Sequence, residues 1–259
     1  MNTFAVLCKK EFAQMIRDFK IIWLPIVFIL LGLTQPIMMY YLPLILTTLG
    51  GVDGITIDPA MTKLDGREVL ASTLNSQFDQ LGIIILVVAV MGVIQAEKAS
   101  GMLAFILTRP VSIIAYLGSK IVTHYALAAA CMAIGYLVSY GYTAYLFSAI
   151  PIAHVILAFA LYCIWLLFII TFVTMLSTIF NSQAFIALLS IIVLLLCRFT
   201  ASLHPFLENF TPASSSLRAT TMLVTGSPGP GWLMSLVMTL LFVIIMLAIT
   251  HYWIAKKKV

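Results

Sequence analysis

Long unbroken apolar runs alternate along the chain with shorter polar intervals, and run length decides what the runs are. Six stretches, about Ile21–Leu42, Leu81–Ala96, Ile121–Phe147, Ile152–Ile179, Ala184–Cys197 and Trp232–Ala255, are apolar almost throughout. Roughly 20 apolar helical residues cross the hydrocarbon of a bilayer, so the second and fifth runs are short and the others long enough as they stand. Backbone groups in lipid must be satisfied within a helix or around a closed barrel. The runs are continuous rather than alternating, which is the helical pattern and not that of barrel strands. The expected fold is all-α and membrane-embedded: a single domain, residues 1–259, with six transmembrane helices.

The intervals carry their own patterns. In residues 1–20, Phe4, Leu7, Cys8, Phe12, Met15, Ile16 and Phe19 recur at spacings of three and four, with Lys9, Lys10, Glu11, Arg17 and Asp18 between them. That spacing predicts an amphipathic helix lying on the membrane surface. Pro25 and Pro36 fall inside the first run, where proline is tolerated at the cost of a kink. Residues 43–79 read as a polar segment, with an amphipathic helix from about Thr62 to Phe78 built on Leu64, Val69, Leu70, Leu74 and Phe78. Pro151 and Asn181-Ser182-Gln183 mark tight turns. Residues 198–231 form a second long polar segment, in which Ser214–Leu223 predicts a short serine-capped helix.

Composition agrees with the pattern: 63% of residues are hydrophobic, 9% are charged and the mean hydropathy is +1.13. A soluble domain carries about 25% charged residues, so lipid is the solvent for much of this chain. The net charge of +5 does not point to nucleic acid, because the basic residues sit at the ends of apolar runs as topological anchors. Lys9, Lys10, Arg17, Lys20, Lys98, Arg109, Lys120 and the three lysines 256–258 fall on one side of a six-span arrangement. Lys63, Arg67, Arg198 and Arg218 fall on the other. The asymmetry puts both termini in the cytoplasm. Cys8, Cys131, Cys163 and Cys197 are far apart and form no metal-ligand pattern, reading as small apolar side chains.

Chemistry of the chain's own is not visible. Gly118-Ser119-Lys120 lacks the earlier glycine of a phosphate-binding loop, and neither HExxH nor a paired-carboxylate site occurs. Glu97, His124 and Arg198 lie near span ends, and the middles of the spans read as free of ionisable residues. Carriers driven by protons or sodium use such residues, so their absence disfavours that class. Energy would then come from a partner subunit.

The loop Gln95–Lys120, QAEKASGMLAFILTRPVSIIAYLGSK, is the most informative segment. Met102, Leu103, Phe105, Ile106 and Leu107 give a short helix an apolar surface too large for an isolated loop, which implies a partner groove or the headgroup layer. Pro110 stops that helix and turns the chain back to the bilayer. The order Glu97, Gly101, Leu107, Pro110-Val111, Gly118 and Lys120 resembles the permease subunits of type-2 ABC transporters. The likeness is closest to the branch containing the permease of nitrous oxide reductase maturation and related antimicrobial-resistance exporters. It covers the whole chain, with Met102 standing where members often carry threonine.

The resemblance implies a type V exporter-like fold with an elbow helix over 1–20, a coupling helix in 97–110 and a re-entrant extracellular segment over 198–231. It implies that Glu97, Gly101, Met102, Phe105, Leu107 and Pro110 couple the chain to two ABC ATPase subunits. ATP and Mg would reside in those partners, with no cofactor and no catalytic residue here. A second permease subunit, identical or homologous, would complete the pathway in a bacterial cytoplasmic membrane. The cargo expectation is apolar or amphiphilic, from the uncharged spans and from Phe28, Met38, Met39, Tyr40, Tyr136, Tyr140, Phe168 and Met175. A non-transporting scaffold or sensor subunit, or a secondary carrier, are the alternatives. A reporter active only outside the cytoplasm, fused at Val259, is expected to stay silent; activity there overturns the topology.

Overall fold

The computed structural model describes residues 3–48, 65–108, 112–203 and 205–257. Among them every regular element is helical. Helix α1 (Thr3–Arg17) turns through Phe19, at φ 55°, into α2 (Lys20–Thr48), which continues through Pro25, Pro36 and Pro43. The second span is composite: α3 (Gly66–Ser72), a π-helical stretch (Thr73–Gly82) and α4 (Ile83–Val90), followed after a turn by α5 (Gln95–Ala99). Then come α6 (Met102–Leu107), α7 (Ile113–Leu146), α8 (Ile152–Ile179), α9 (Gln183–Leu203), α10 (Pro205–Phe210), α11 (Ser214–Thr225) and α12 (Trp232–Lys257). Six of these stretches are long and apolar enough to cross a membrane, as the run lengths predict. Successive spans run in opposite directions. The two ends of the bundle are therefore a terminal end, with α1, α5 and α6, and a distal end, with α10 and α11.

Several boundaries differ from the sequence reading; the third span, for one, starts at Ile113 rather than Ile121 and so includes Lys120. The second span starts at Gly66 rather than Leu81 and extends to Ala99. The amphipathic stretch expected to end at Phe78 runs on into Ile83 without a break, because no proline interrupts it and its apolar face, Leu70, Leu74 and Phe78, is buried in the bundle. α9 likewise continues past Cys197 to Leu203. The changes to the second span and α9 move ionisable groups into the membrane-spanning bundle: Asp79 on the second span, with 0% exposure, and Arg198 on α9, with 9%. The expectation of spans without internal charge is thus wrong.

Burial shows what is central. In the second span and in α8, 56% of the apolar window is buried, against 22% to 28% in α2, α9 and α12, which lie outermost. α2 and α1 pack on α7, while α9, α11 and α12 pack on α8. At the distal end, Asp65 caps α3 by accepting from the Arg67 amide, and Ser148 donates to Asp65 at 2.5 Å. The Ser148 hydrogen bond holds the Asp65 carboxyl below the ordinary aspartate range, against the opposing effect of partial burial.

The crossing of α2 and α7 requires glycine. A Cβ at Gly135 would lie 2.4 Å from the Phe28 carbonyl oxygen, and one at Gly32 would lie 2.2 Å from the Gly135 carbonyl oxygen. Close backbone approach between small residues is how membrane helices associate without a hydrophobic driving force. Gly135→Ala is expected to cost about 1–3 kcal/mol through overpacking. Gly141→Ala, six residues along the same helix with nothing within 4 Å of its Cβ, should be neutral. Thermal unfolding of both variants in lipid nanodiscs checks the pair.

Candidate functional site at the terminal end

Where α4 ends, the chain turns through Met91–Ile94 before resuming as α5. The amides of Ile94 and Gln95 donate at 3.1 and 2.9 Å to the Ser177 hydroxyl of α8. Lys98 extends the bond to α8 by donating to the carbonyls of Thr178 and Phe180 at 2.9 and 2.6 Å. A cation on the last carbonyls of a helix satisfies unpaired acceptors and complements the helix dipole. The Gln95 side-chain amide donates at 2.6 Å to the Asn181 carbonyl in the turn that follows α8.

Gly101 then reverses the chain at φ 74°. A Cβ there would meet nothing within 4 Å, so the demand for glycine is one of backbone conformation, not of space. The reversal aims α6 so that Leu103, 5% exposed, anchors in the core and Ile106 packs against it. Met102 and Phe105 face outward, 46% and 59% exposed. The side chain of Leu107 and the whole of Pro110 lie outside the described residues.

Glu97 does not share that outer face. It is 4% exposed and accepts from Lys10 of α1 at 2.6 Å and from the Tyr116 hydroxyl of α7 at 2.5 Å. Lys120, one turn beyond Tyr116 and 1% exposed, lies 3.2 Å from Glu97. It donates to Glu11 of α1 at 3.1 Å and to the Val93 carbonyl at 2.9 Å. Two lysines and two carboxylates thus form a neutral cluster joining α1, α5 and α7. Glu11, Glu97 and Lys120 are buried while the Lys10 side chain stays 35% exposed, and pairing within a neutral cluster offsets the cost of burying the other three charges. Between α1 and the loop lies a groove of about 480 Å³ lined by Lys10, Gln14, Arg17, Ser100 and Met102.

The four of the six expected site residues whose side chains are described therefore divide. Glu97 and Gly101 give the loop its shape, and Met102 and Phe105 form its outer surface. Sequence reasoning missed Lys10 and Tyr116 as partners of Glu97 and Glu11 as a partner of Lys120, and treated Lys120 only as part of a motif. The four-residue spacing of Tyr116 and Lys120, and an acid on an otherwise amphipathic first helix, were the available signals. The proposed cargo-lining set is not one surface: Phe28, Tyr136 and Phe168 are 0%, 2% and 2% exposed, whereas Met38 and Tyr40 face outward.

A second polar cluster lies toward the distal end. Asp79 accepts from Arg198 of α9 at 2.7 Å, from Tyr162 of α8 at 2.8 Å and from Ser216 of α11. Arg198 also donates to Asn75. No group of three or more His, Cys, Asp or Glu side chains among the described residues could hold a metal ion.

Six helices long and apolar enough to cross a membrane define a multi-pass membrane protein. The chain belongs to the family described as protein of unknown function DUF2705, whose model matches residues 53–258. It is 34% identical over 256 residues to the uncharacterized transmembrane protein YxlG of Bacillus subtilis (strain 168), a match covering 98% of this chain and 97% of that one.

Lys120→Met would leave Glu11 and Glu97 to share Lys10. Breaking a buried pair by removing one partner costs about 3–5 kcal/mol, and removing both charges recovers much of it. Lys120→Met is thus expected to lower the unfolding temperature sharply and Glu97→Gln/Lys120→Met to restore part of the loss. Equal losses in the single and double variants would show that the charges are not coupled.

Proposed function

We propose that this chain is the membrane-embedded permease subunit of an ATP-driven transporter of the type-2 ABC class, working with two separate ATPase subunits and a second permease subunit. The observation that carries the reading is the loop α5–Gly101–α6. Of its described motif residues, Glu97 and Gly101 brace it and Met102 and Phe105 face outward, and the brace ties it to α1, α7 and α8 together. A loop that presents Met102 and Phe105 while fixed to three helices can pass a push from a partner into the bundle without absorbing it. In this reading α1 is the elbow helix, α6 the coupling helix, α10 and α11 the re-entrant helices, and the terminal end faces the cytoplasm of a bacterial cell. The cationic Arg17 beside the groove would meet acidic groups of the ATPase.

The cargo in this reading is apolar or amphiphilic and is exported. Its support is now the outward face of α2, where Met38, Tyr40 and Tyr41 are exposed. The buried aromatic residues of the core no longer contribute. Asp79 gives some weight to a second reading, an ion-coupled secondary carrier, because intramembrane carboxylates mark proton and ion pathways. Its saturation by Arg198, Tyr162 and Ser216 favours a structural or conformational role instead.

Phe105→Asp and Leu107→Asp are expected to release the ATPase subunits or to uncouple hydrolysis from transport while the bundle stays folded. Co-purification and ATPase assays in nanodiscs check this, and unchanged coupling in both variants counts against the docking assignment. In the same nanodiscs, hydrophobic peptides or lipids should stimulate hydrolysis and sugars or simple ions should not. Transport driven by a proton gradient without ATP would favour the carrier.

A further inference from the structure

The second span is wound unlike the other described spans. Its residues Thr73–Gly82, TLNSQFDQLG, form ten residues of π-helix. Such turns are rare, come mostly singly and gather at functional sites. Nothing local demands the winding, since the stretch contains no proline and its one glycine, Gly82, comes last. What distinguishes it is where its polar side chains go. Thr73 accepts from Ser139 of α7 at 3.1 Å, and Ser76 and Gln77 donate to Gln35 of α2 at 3.2 and 3.0 Å. Asn75 accepts from Arg198 of α9, and Asp79 accepts from α8, α9 and α11. One stretch holds five neighbouring helices through polar bonds in a bundle surrounded by lipid.

Winding and pairing are one equilibrium. Return to ordinary i→i+4 bonding would turn each of these side chains relative to α4, and the partners could not all be kept. Asp79 in particular would lose Arg198, and a buried carboxylate without its cation is among the costliest states a protein can adopt. The α-wound form is therefore accessible only if α9 and α11 move away from the second span in the same step. We propose that Thr73–Gly82 is a two-position joint within the second span, latched in its π-wound form by the Asp79–Arg198 pair and released as α9 and α11 swing off. The span leads from the joint through α4 and the turn at Met91–Ile94 to the Gly101 loop, so displacement of that loop would reach the latch along the second span. Only this last link rests on the transporter reading; the joint itself does not.

The test is the distance between nitroxide labels at Leu81→Cys and Leu196→Cys, both lipid-facing at 48% and 55% exposure. The protein is the full chain in nanodiscs, with Cys8, Cys131, Cys163 and Cys197 replaced by alanine. Labels at Val122→Cys and Leu157→Cys, on α7 and α8 at 51% and 52% exposure, serve as control. Two perturbations are compared. Tyr162→Phe removes one donor to Asp79 and keeps the ring, and Asp79→Asn/Arg198→Gln removes both charges without leaving one unpaired. A latched joint has a minor form of a few per cent at most, and weakening the latch should raise a second distance roughly tenfold for the 81–196 pair alone. A single unchanged distance in Tyr162→Phe and in the double variant overturns the proposal. So does equal broadening of the control pair, which would mean that the ion pair merely supports the whole bundle. If the double variant does not fold, an unchanged distance in Tyr162→Phe is sufficient to reject the joint.

Discussion

A charge inside a lipid-surrounded bundle must bring its partner with it, and that constraint organises this protein. Water is not there to solvate a lone lysine or carboxylate, so each buried charge dictates which helices stand together. Lys120 is 1% exposed and reaches Glu11 and Glu97, which fixes α1 and α5 against α7. Asp79 is fully buried and reaches Arg198, which fixes the second span against α9. Apolar contacts cannot do this alone, because lipid tails compete with leucine for leucine, whereas nothing in the bilayer competes for a carboxylate.

The two clusters share the second span, and this gives the fold its axis. Near one end Glu97 belongs to a braced loop that shows Met102 and Phe105 outward. Asp79 sits toward the other end, in a stretch of π-helix. Between them α4 is uniformly apolar and largely buried, a stiff connection without polar groups of its own. The close glycine crossing of α2 and α7 lies to one side, and α8 with α12 to the other. A chain built this way has a central helix whose two ends are held to its neighbours by polar bonds.

The DUF2705 family model covers residues 53–258, from before the second span to the end of α12, and the similarity to YxlG extends over 98% of the chain. The proposed coupling role adds to the six-span architecture a directional meaning: the terminal end receives work and the distal end responds. The buried network there shows how a response could be all-or-none, since a carboxylate within a dry core is either paired or prohibitively unpaired.

The helical class, the number of spans and the separation of basic residues to one end were legible in the sequence. They depend on run length and charge position alone, which are local quantities set by the thickness of a bilayer and the spacing of residues along a helix. The short apolar helix ahead of Pro110 was legible in its apolar run, but the sequence reads as one helix from Glu97 to Leu107, whereas Gly101 at φ 74° divides it into α5 and α6. What the sequence left open was which side chains meet. Glu97 looked like a surface acid beside an apolar patch and proved to be the buried centre of a four-charge cluster with Lys10, Glu11 and Lys120. Asp79 looked like the last polar residue of a loop and proved to lie within a span. Its partner Arg198 is 119 residues away. Only the tertiary structure could decide these pairings, because the free energy that selects them arises from removing both partners from water at once, and no residue carries that information until its neighbour is in place.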